Sequence, residues 1–197
     1  MTDGLQKLFG SPARVKLLRL FLFNPRLSFT LAEAGTRARV TDEDVRREVR
    51  LFASIGLVSV SKRGSKQPGR GIRYVLNAEF EYVAALQNLL LNAPERGEDI
   101  VGRIRHAGTL KFVVLAGMFL GEWEGTLDLL IVGDRMKERK LRDEVRKLEA
   151  EIGKEIRYAS LTTTDFFYRL NLNDKLIRDV LDYPHQIVLD RLDIGLK

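Results

Sequence analysis

A helix followed directly by a β-hairpin, encoded between Thr41 and Leu76, constrains the fold more than any other part of the chain. Apolar side chains recur at helical spacing after Thr41: Val45, Val49, Phe52 and Ile55. This spacing predicts a helix with one buried face, which Gly56 is suited to end in the left-handed region. Two alternating apolar runs, 57–60 and 72–76, flank a turn-rich basic loop and predict the two strands of the hairpin.

Two helices are predicted before this segment and one after it. The first begins at Ser11-Pro12, an N-cap followed by proline at the first helical position, and it ends before Asn24-Pro25. Ser28 or Thr30 can cap the second helix, which is short. The third covers residues 79–91. The N-terminal half is therefore predicted to fold as three helices, a hairpin and a further helix.

Two short motifs lie at the ends of the predicted hairpin. Leu51-Phe52-Ala53-Ser54-Ile55-Gly56-Leu57-Val58 precedes its loop and Arg73-Tyr74-Val75-Leu76-Asn77 follows it. The first motif resembles the end of the recognition helix and the start of the wing in winged helix-turn-helix regulators of bacteria and archaea. The second is similar to the closing strand of that wing. The resemblance, which runs from Leu5 to Leu91, implies that the helix after Thr41 lies in the major groove of DNA.

Basic side chains are concentrated where such a protein would meet DNA. Three arginines fall opposite the apolar stripe of the predicted recognition helix: Arg46, Arg47 and Arg50. Four further cations lie in the hairpin loop: Lys62, Arg63, Lys66 and Arg70. Residues 1–92 hold 15 basic and 8 acidic side chains, a net charge of +7, whereas the remainder holds 18 and 19, a net charge of −1. We therefore predict that these seven residues bind double-stranded DNA through base edges and phosphates.

Acidic residues at the start of the same helix act against DNA binding. Asp42, Glu43 and Asp44 occupy its first turn, where carboxylates stabilise the helix dipole but repel phosphate. Glu43 can also pair with Arg47, four residues later, which would neutralise part of the basic face. The alternative interpretation is that the winged-helix fold serves dimerisation and that its arginines are merely solvated.

The second half of the chain begins after a linker-like stretch, Ala93-Pro94-Glu95-Arg96-Gly97. We therefore predict two domains, residues 1–92 and 93–197. In the second domain, apolar runs and amphipathic stretches follow in the order β, β, α, β, α, and a last short strand is predicted near residues 186–189. This order predicts a small mixed sheet, so the fold class of the whole chain is α+β.

Gly117 follows the first predicted strand of this second domain, and Asp128 lies at the start of the next. Their placement resembles the nucleotidyltransferase core, in which Gly-Ser and Asp-x-Asp motifs hold a triphosphate and Mg²⁺. Met118 and Thr126 stand where that family has the serine and the first aspartate, and the third strand has no carboxylate at its centre. We therefore expect a vestigial nucleotide site of Gly117 and Asp128, with no catalytic residue, no metal and no cofactor.

Composition excludes several other classes of function. The chain has no cysteine, which excludes disulfides and thiolate catalysis. No apolar run is long enough for a transmembrane helix, and the N-terminus lacks the pattern of a signal peptide. We therefore expect a cytoplasmic protein with no membrane partner.

Taken together, these features predict a DNA-binding transcriptional regulator. A homodimer is expected, because one recognition helix reads few bases and two-fold half-sites supply the rest. The C-terminal nucleotidyltransferase-like domain is expected to bind a ligand, a protein partner or another subunit. Two alternatives stay open. One is an active Mg²⁺-dependent nucleotidyltransferase whose metal site is built from Glu122, Glu124 and Asp128. The other is an antitoxin-like protein-interaction module.

Overall fold

A computed structural model describes residues 4–61, 71–91, 97–123 and 125–194. The fold is mixed α+β, as predicted, and the chain divides into two compact units. The first unit comprises Met1–Ala93 together with Lys147–Lys154, and the second comprises Pro94–Arg146 together with Glu155–Lys197. In the described ranges, no helix is long and apolar enough to cross a membrane.

Five helices of the first unit are described: α1 (Gly4–Leu8), α2 (Pro12–Leu22), α3 (Leu31–Ala38), α4 (Asp42–Ser54) and α5 (Val83–Leu91). Hydroxyl side chains cap three of them. Ser11 accepts a hydrogen bond from the Arg14 amide at the start of α2, and Thr41 accepts one from the Asp44 amide at the start of α4. Thr30 and Glu33 form a complete capping box on α3. The caps that the sequence predicted therefore set where the helices begin.

Three short strands form an antiparallel sheet beside these helices: β1 (Ser28–Thr30), β2 (Val58–Val60) and β3 (Arg73–Leu76). Strand β3 lies at the centre, with Tyr74 opposite Phe29 of β1 and opposite Val60 of β2. The β2–β3 pairing is the predicted hairpin. Strand β1 was not predicted, because three residues are too few to show an alternating pattern and because Thr30 also caps the helix that follows.

The core of the first unit lies where α2, α4 and the sheet meet. The buried stripe of α4 consists of Val45, Val49 and Phe52, as predicted. The Phe21 ring makes edge contacts with Phe29 and Phe52, at centroid distances of 5.7 and 6.4 Å. Ile55, predicted as the fourth member of the stripe, is 51% exposed. That prediction was wrong because the helix ends at Ser54, so Ile55 leaves the buried face as the C-cap.

A buried carboxylate fixes α4 to α2. The side chain of Glu48 is fully buried on the inner face of α4. Its Oε2 accepts a hydrogen bond from Arg14 Nε at 2.7 Å, and its Oε1 accepts one from Arg47 Nε at 3.2 Å. Arg14 also donates to the carbonyl oxygen of Phe9. A directional ion pair therefore sets the rotation of α4 about its own axis, in addition to the apolar packing.

In the second unit, a four-stranded sheet has the order β6-β5-β4-β7. After α5, the helices and strands in chain order are α6 (Gly97–Ile104), β4 (Thr109–Leu115), β5 (Leu129–Asp134), α7 (Glu138–Ile152), β6 (Tyr158–Leu161), α8 (Thr163–Asn171), α9 (Lys175–Leu181) and β7 (Gln186–Asp190). All of them belong to the second unit except the last residues of α7, from Lys147, which belong to the first. Strand β5 pairs with β6 in parallel, whereas β4 pairs with β5 and with β7 in antiparallel. The mixed sheet that the sequence predicted is therefore present.

Both faces of the central strands β4 and β5 are buried. On one face, four side chains of these strands pack with Phe166 of α8 and with Ile177 and Val180 of α9: Phe112, Val114, Leu130 and Val132. The intervening residues of the same strands are buried as well: Val113, Leu115, Leu129 and Ile131. Continuous burial explains why these strands read as unbroken apolar runs in the sequence.

The ion pair between Arg14 and Glu48 gives a test of this packing. Arg14→Ala leaves a fully buried carboxylate with the weaker Arg47 bond alone, so we expect the free energy of unfolding to fall by about 2 kcal/mol. The double variant Arg14→Met, Glu48→Leu should recover most of this loss, since it removes both charges. Urea denaturation measures both values, with Lys16→Ala on the same helix as the control. An unchanged stability in Arg14→Ala would contradict the role given to Glu48.

Candidate nucleic-acid interface

The outer face of α4 carries the three arginines that the sequence singled out. Arg46, Arg47 and Arg50 are all exposed, opposite the buried stripe. Together with Asp42 and Glu43 they line one open depression on the surface. The helix is held in place from behind by its buried stripe and by Glu48. The arrangement therefore presents cations and carboxylates together on a rigid support.

Arg47 is committed to partners within the protein. Its Nη2 donates to Asp44 Oδ1 at 2.5 Å, and its Nε donates to Glu48 Oε1 at 3.2 Å. The hydrogen bond to Glu48, followed by that to Asp44, raises the pKa of Arg47. Hydrogen bonds from the Thr41 hydroxyl and then from Arg47 lower the pKa of Asp44. Arg47 thus keeps its charge, but two carboxylates offset it.

Glu43 and Arg47 do not form the ion pair that their spacing of four residues allows. Arg47 turns instead towards Asp44, whose carboxylate is held in place by the Thr41 hydroxyl at 2.8 Å. As a result, no ion pair in the described part of the chain involves Glu43, Arg46 or Arg50. The guanidinium groups of Arg46 and Arg50 and the carboxylates of Asp42 and Glu43 are therefore available to a ligand in the depression.

The four cations predicted on the hairpin lie outside the described residues: Lys62, Arg63, Lys66 and Arg70. The described strands on either side of them are paired, with Val58 opposite Leu76 and Val60 opposite Tyr74. The two strands that flank the predicted loop are therefore paired with each other.

Arg73, at the start of β3, has a structural role that the sequence did not predict. The sequence analysis named it only as the first residue of the second hairpin motif. Its Nε donates to Ser28 Oγ at 3.0 Å, and its Nη2 also donates to the Ser28 carbonyl oxygen. Its guanidinium group contacts both carboxylate oxygens of Glu33, at 3.0 and 2.8 Å. The hydrogen bond from Arg73 is the largest of the effects that lower the pKa of Glu33. Arg73 thus ties β3 to β1 and to the cap of α3.

In the second unit, the structure brings the two residues of the predicted vestigial site, Gly117 and Asp128, into contact. Asp128 is fully buried, and its Oδ1 accepts a hydrogen bond from the Met118 amide at 2.9 Å. Gly117 has a φ of +49°, and a Cβ at this position would lie 2.4 Å from Asp128 Oδ1. Only glycine fits there, because a Cβ would overlap with Asp128 and with the Leu127 carbonyl oxygen, and the left-handed backbone conformation also favours glycine.

Arg157, which the sequence analysis did not single out, binds the carboxylate of Asp128. Its Nε donates to Oδ2 at 2.8 Å, its Nη2 donates to Oδ1 at 2.6 Å, and its backbone amide donates to Oδ2 at 2.9 Å. Arg157 Nη1 also donates to the Gly125 carbonyl oxygen. The bond to Asp128 raises the pKa of Arg157. Asp128 therefore acts as a hydrogen-bonding residue within the protein, fully satisfied by Arg157 and Met118.

The residues named for the alternative metal site do not form a cluster in the described part of the chain. Glu122 is exposed, and Glu124 lies outside the described residues. Within the described ranges, no group of three or more His, Asp or Glu side chains is placed to hold a metal ion. No signal in the sequence pointed to Arg157, because its contact with Asp128 depends on the parallel register that sets Leu129 opposite Tyr158.

The Asp128–Arg157 contact predicts a stability effect. Asp128→Ala removes both acceptors of a bidentate ion pair and leaves the buried Met118 amide without a partner. We expect the free energy of unfolding to fall by about 3 kcal/mol. Asp143→Ala, an exposed aspartate on α7, is the matched control. Thermal and urea unfolding measure the difference, and equal stability of the two variants would contradict this role for Asp128.

Comparison with protein-family models, with curated proteins and with solved structures gave no match for this chain. Function must therefore be inferred from the side chains themselves. The outer face of α4 is the stronger candidate site, since its Arg46 and Arg50 are exposed and unpaired within the described residues. The corner around Asp128 is closed by internal hydrogen bonds.

Proposed function

We propose that this protein is a DNA-binding transcriptional regulator in which a winged helix in the first unit contacts double-stranded DNA. The observation that carries this proposal is the pair of exposed guanidinium groups, Arg46 and Arg50, on the outward face of an anchored helix. Arginine binds guanine O6 and N7 with two hydrogen bonds and binds phosphate with equal ease. A helix has the width to enter the major groove, where both kinds of contact are made.

The anchoring of α4 supports this function. A helix that must place arginines within hydrogen-bond distance of base edges gains from having little freedom to rotate. Glu48 and Arg14 supply that restriction from the inner face, and the capping hydroxyl of Thr41 fixes the start of the helix. The conformational entropy of orienting the helix is therefore lost on folding and not on binding.

The net charge of the N-terminal half adds a contribution that does not depend on DNA sequence. The net charge of +7 in residues 1–92 favours approach to a polyanion, and Lys62, Arg63, Lys66 and Arg70 lie between the paired strands β2 and β3. Cations carried on a hairpin beside a recognition helix can contact neighbouring phosphates. Each such contact releases counterions and makes the affinity dependent on salt.

The remaining parts of the proposal concern assembly and the second unit. A homodimer would place two copies of α4 on two half-sites, which supplies the specificity that one helix lacks. The second unit, whose sequence resembles the nucleotidyltransferase core at Gly117 and Asp128, would bind a ligand or a protein partner in the cytoplasm. The commitment of Asp128 to Arg157 supports a role in binding and not in catalysis.

Duplex binding by charge-matched variants tests the proposal. Arg46→Ala, Arg50→Ala should weaken the affinity for a labelled duplex at least about tenfold at low salt, because each arginine contributes about 1 kcal/mol or more. The slope of log affinity against log salt should also fall by about 0.9 for each phosphate contact that is lost. Fluorescence anisotropy at several salt concentrations measures both.

The matched control is Arg139→Ala, Arg142→Ala, which removes two exposed arginines from α7 and changes the net charge equally. This variant should retain the wild-type affinity. A wild-type protein that binds no duplex at low salt, or equal losses in the two double variants, would refute DNA binding through α4.

A further inference from the structure

The carboxylate of Glu43 lies on the outward face of α4, within the proposed interface. At about 100° of rotation per residue, Glu43, Arg47 and Arg50 project along one line of α4, opposite its buried stripe. Glu43 lies at the N-terminal end of that line and shares the surface depression with Arg46 and Arg50. In helix-turn-helix proteins, the N-terminal residues of the recognition helix are those that contact base edges.

Glu43 differs from Asp44 and Glu48 in what its carboxylate binds. Asp42 is exposed and unpaired as well within the described residues, but it projects about 100° away from Glu43 around the helix, on the side near Gly35 of α3. Asp44 accepts hydrogen bonds from Thr41 and Arg47, and Glu48 is buried against Arg14. Glu43 is exposed, and within the described residues it forms no hydrogen bond or ion pair through its side chain. It is therefore a charged acceptor without a partner, set among cations.

An ionised carboxylate at this position repels phosphate and weakens binding to any DNA unless it accepts a hydrogen bond there. The major groove offers two kinds of donor, the amino groups of cytosine N4 and adenine N6. Guanine and thymine present acceptors to the same groove. A glutamate in the interface therefore discriminates between bases, even though it lowers the affinity for the backbone.

The neighbouring arginines favour one of the two donors. Arg46 and Arg50 offer only donors, which match O6 and N7 of guanine. A C·G pair shows the cytosine amino group beside those two acceptors, so a glutamate and an arginine together match its edge. An A·T pair places a methyl group and a single thymine acceptor beside its adenine.

We propose that Glu43 is a specificity-determining residue that accepts a hydrogen bond from cytosine N4, while Arg46 or Arg50 binds guanine of the same or the adjacent base pair. The preferred ligand is then a duplex whose half-site contains a C·G base pair at the position that Glu43 contacts. This inference rests on the proposed DNA-binding function and adds the class of sequence that the site selects.

Selection from a randomised duplex library tests the inference with four proteins: wild type, Glu43→Ala, Glu43→Gln and the control Glu81→Gln, which changes an exposed glutamate outside α4. The wild type and the control should enrich cytosine at one position of each half-site. Glu43→Ala should lose at least about fivefold of the preference for that base and bind unselected duplex more tightly. Glu43→Gln should shift the preference towards adenine, which glutamine binds through N6 and N7.

The outcomes separate the inference from the function on which it rests. An enriched motif that is the same in wild type and Glu43→Ala overturns the role of Glu43 and leaves DNA binding intact. Enrichment of adenine by the wild type, or binding without any enriched base, also overturns it. Failure of the wild type to bind any duplex overturns the proposed function and the inference together.

Discussion

The ion pair between the buried carboxylate of Glu48 and Arg14 is the interaction on which the first unit depends. Apolar packing alone would hold α4 against α2, but dispersion and the hydrophobic effect have little direction. A buried charge tolerates only the arrangement in which its partner reaches it. Because Glu48 faces inward, Glu43, Arg46 and Arg50 must face outward, and the orientation of the candidate interface follows from one contact on its opposite side.

The charges of α4 divide into two groups that composition cannot distinguish. Asp44, Arg47 and Glu48 are joined to one another by hydrogen bonds and stabilise the helix. Asp42, Glu43, Arg46 and Arg50 are left available within the described residues, and the last three carry the proposed recognition of DNA. Arg47 belongs to the first group although its side chain is exposed, because Asp44 and Glu48 offset its charge. An arginine count on a helical wheel would treat all three arginines alike, whereas their partners differ.

Local signals in the sequence predicted much of this structure. The caps at Thr30 and Thr41, the buried stripe of α4 and the mixed sheet of the second unit all follow from spacing and residue type. The features that sequence reasoning missed depend on distant residues. Strand β1 becomes recognisable only when Tyr74 lies beside it, and Arg157 reaches Asp128 only through the pairing of β5 with β6. No pattern along the chain encodes such a register directly.

The bonds of Arg73 also bear on how β3 is held in place. Its guanidinium group joins the first residue of β3 to Ser28 and to the glutamate that caps α3. Separating β3 from β1 at that end would break the bonds of Arg73 to Ser28 and Glu33 and would leave the Glu33 carboxylate with the Thr30 amide as its remaining partner. The first residue of β3 is thus anchored to β1 and to α3 by side-chain bonds as well as by strand pairing, so the same arginine that begins the strand also helps to hold the start of a helix.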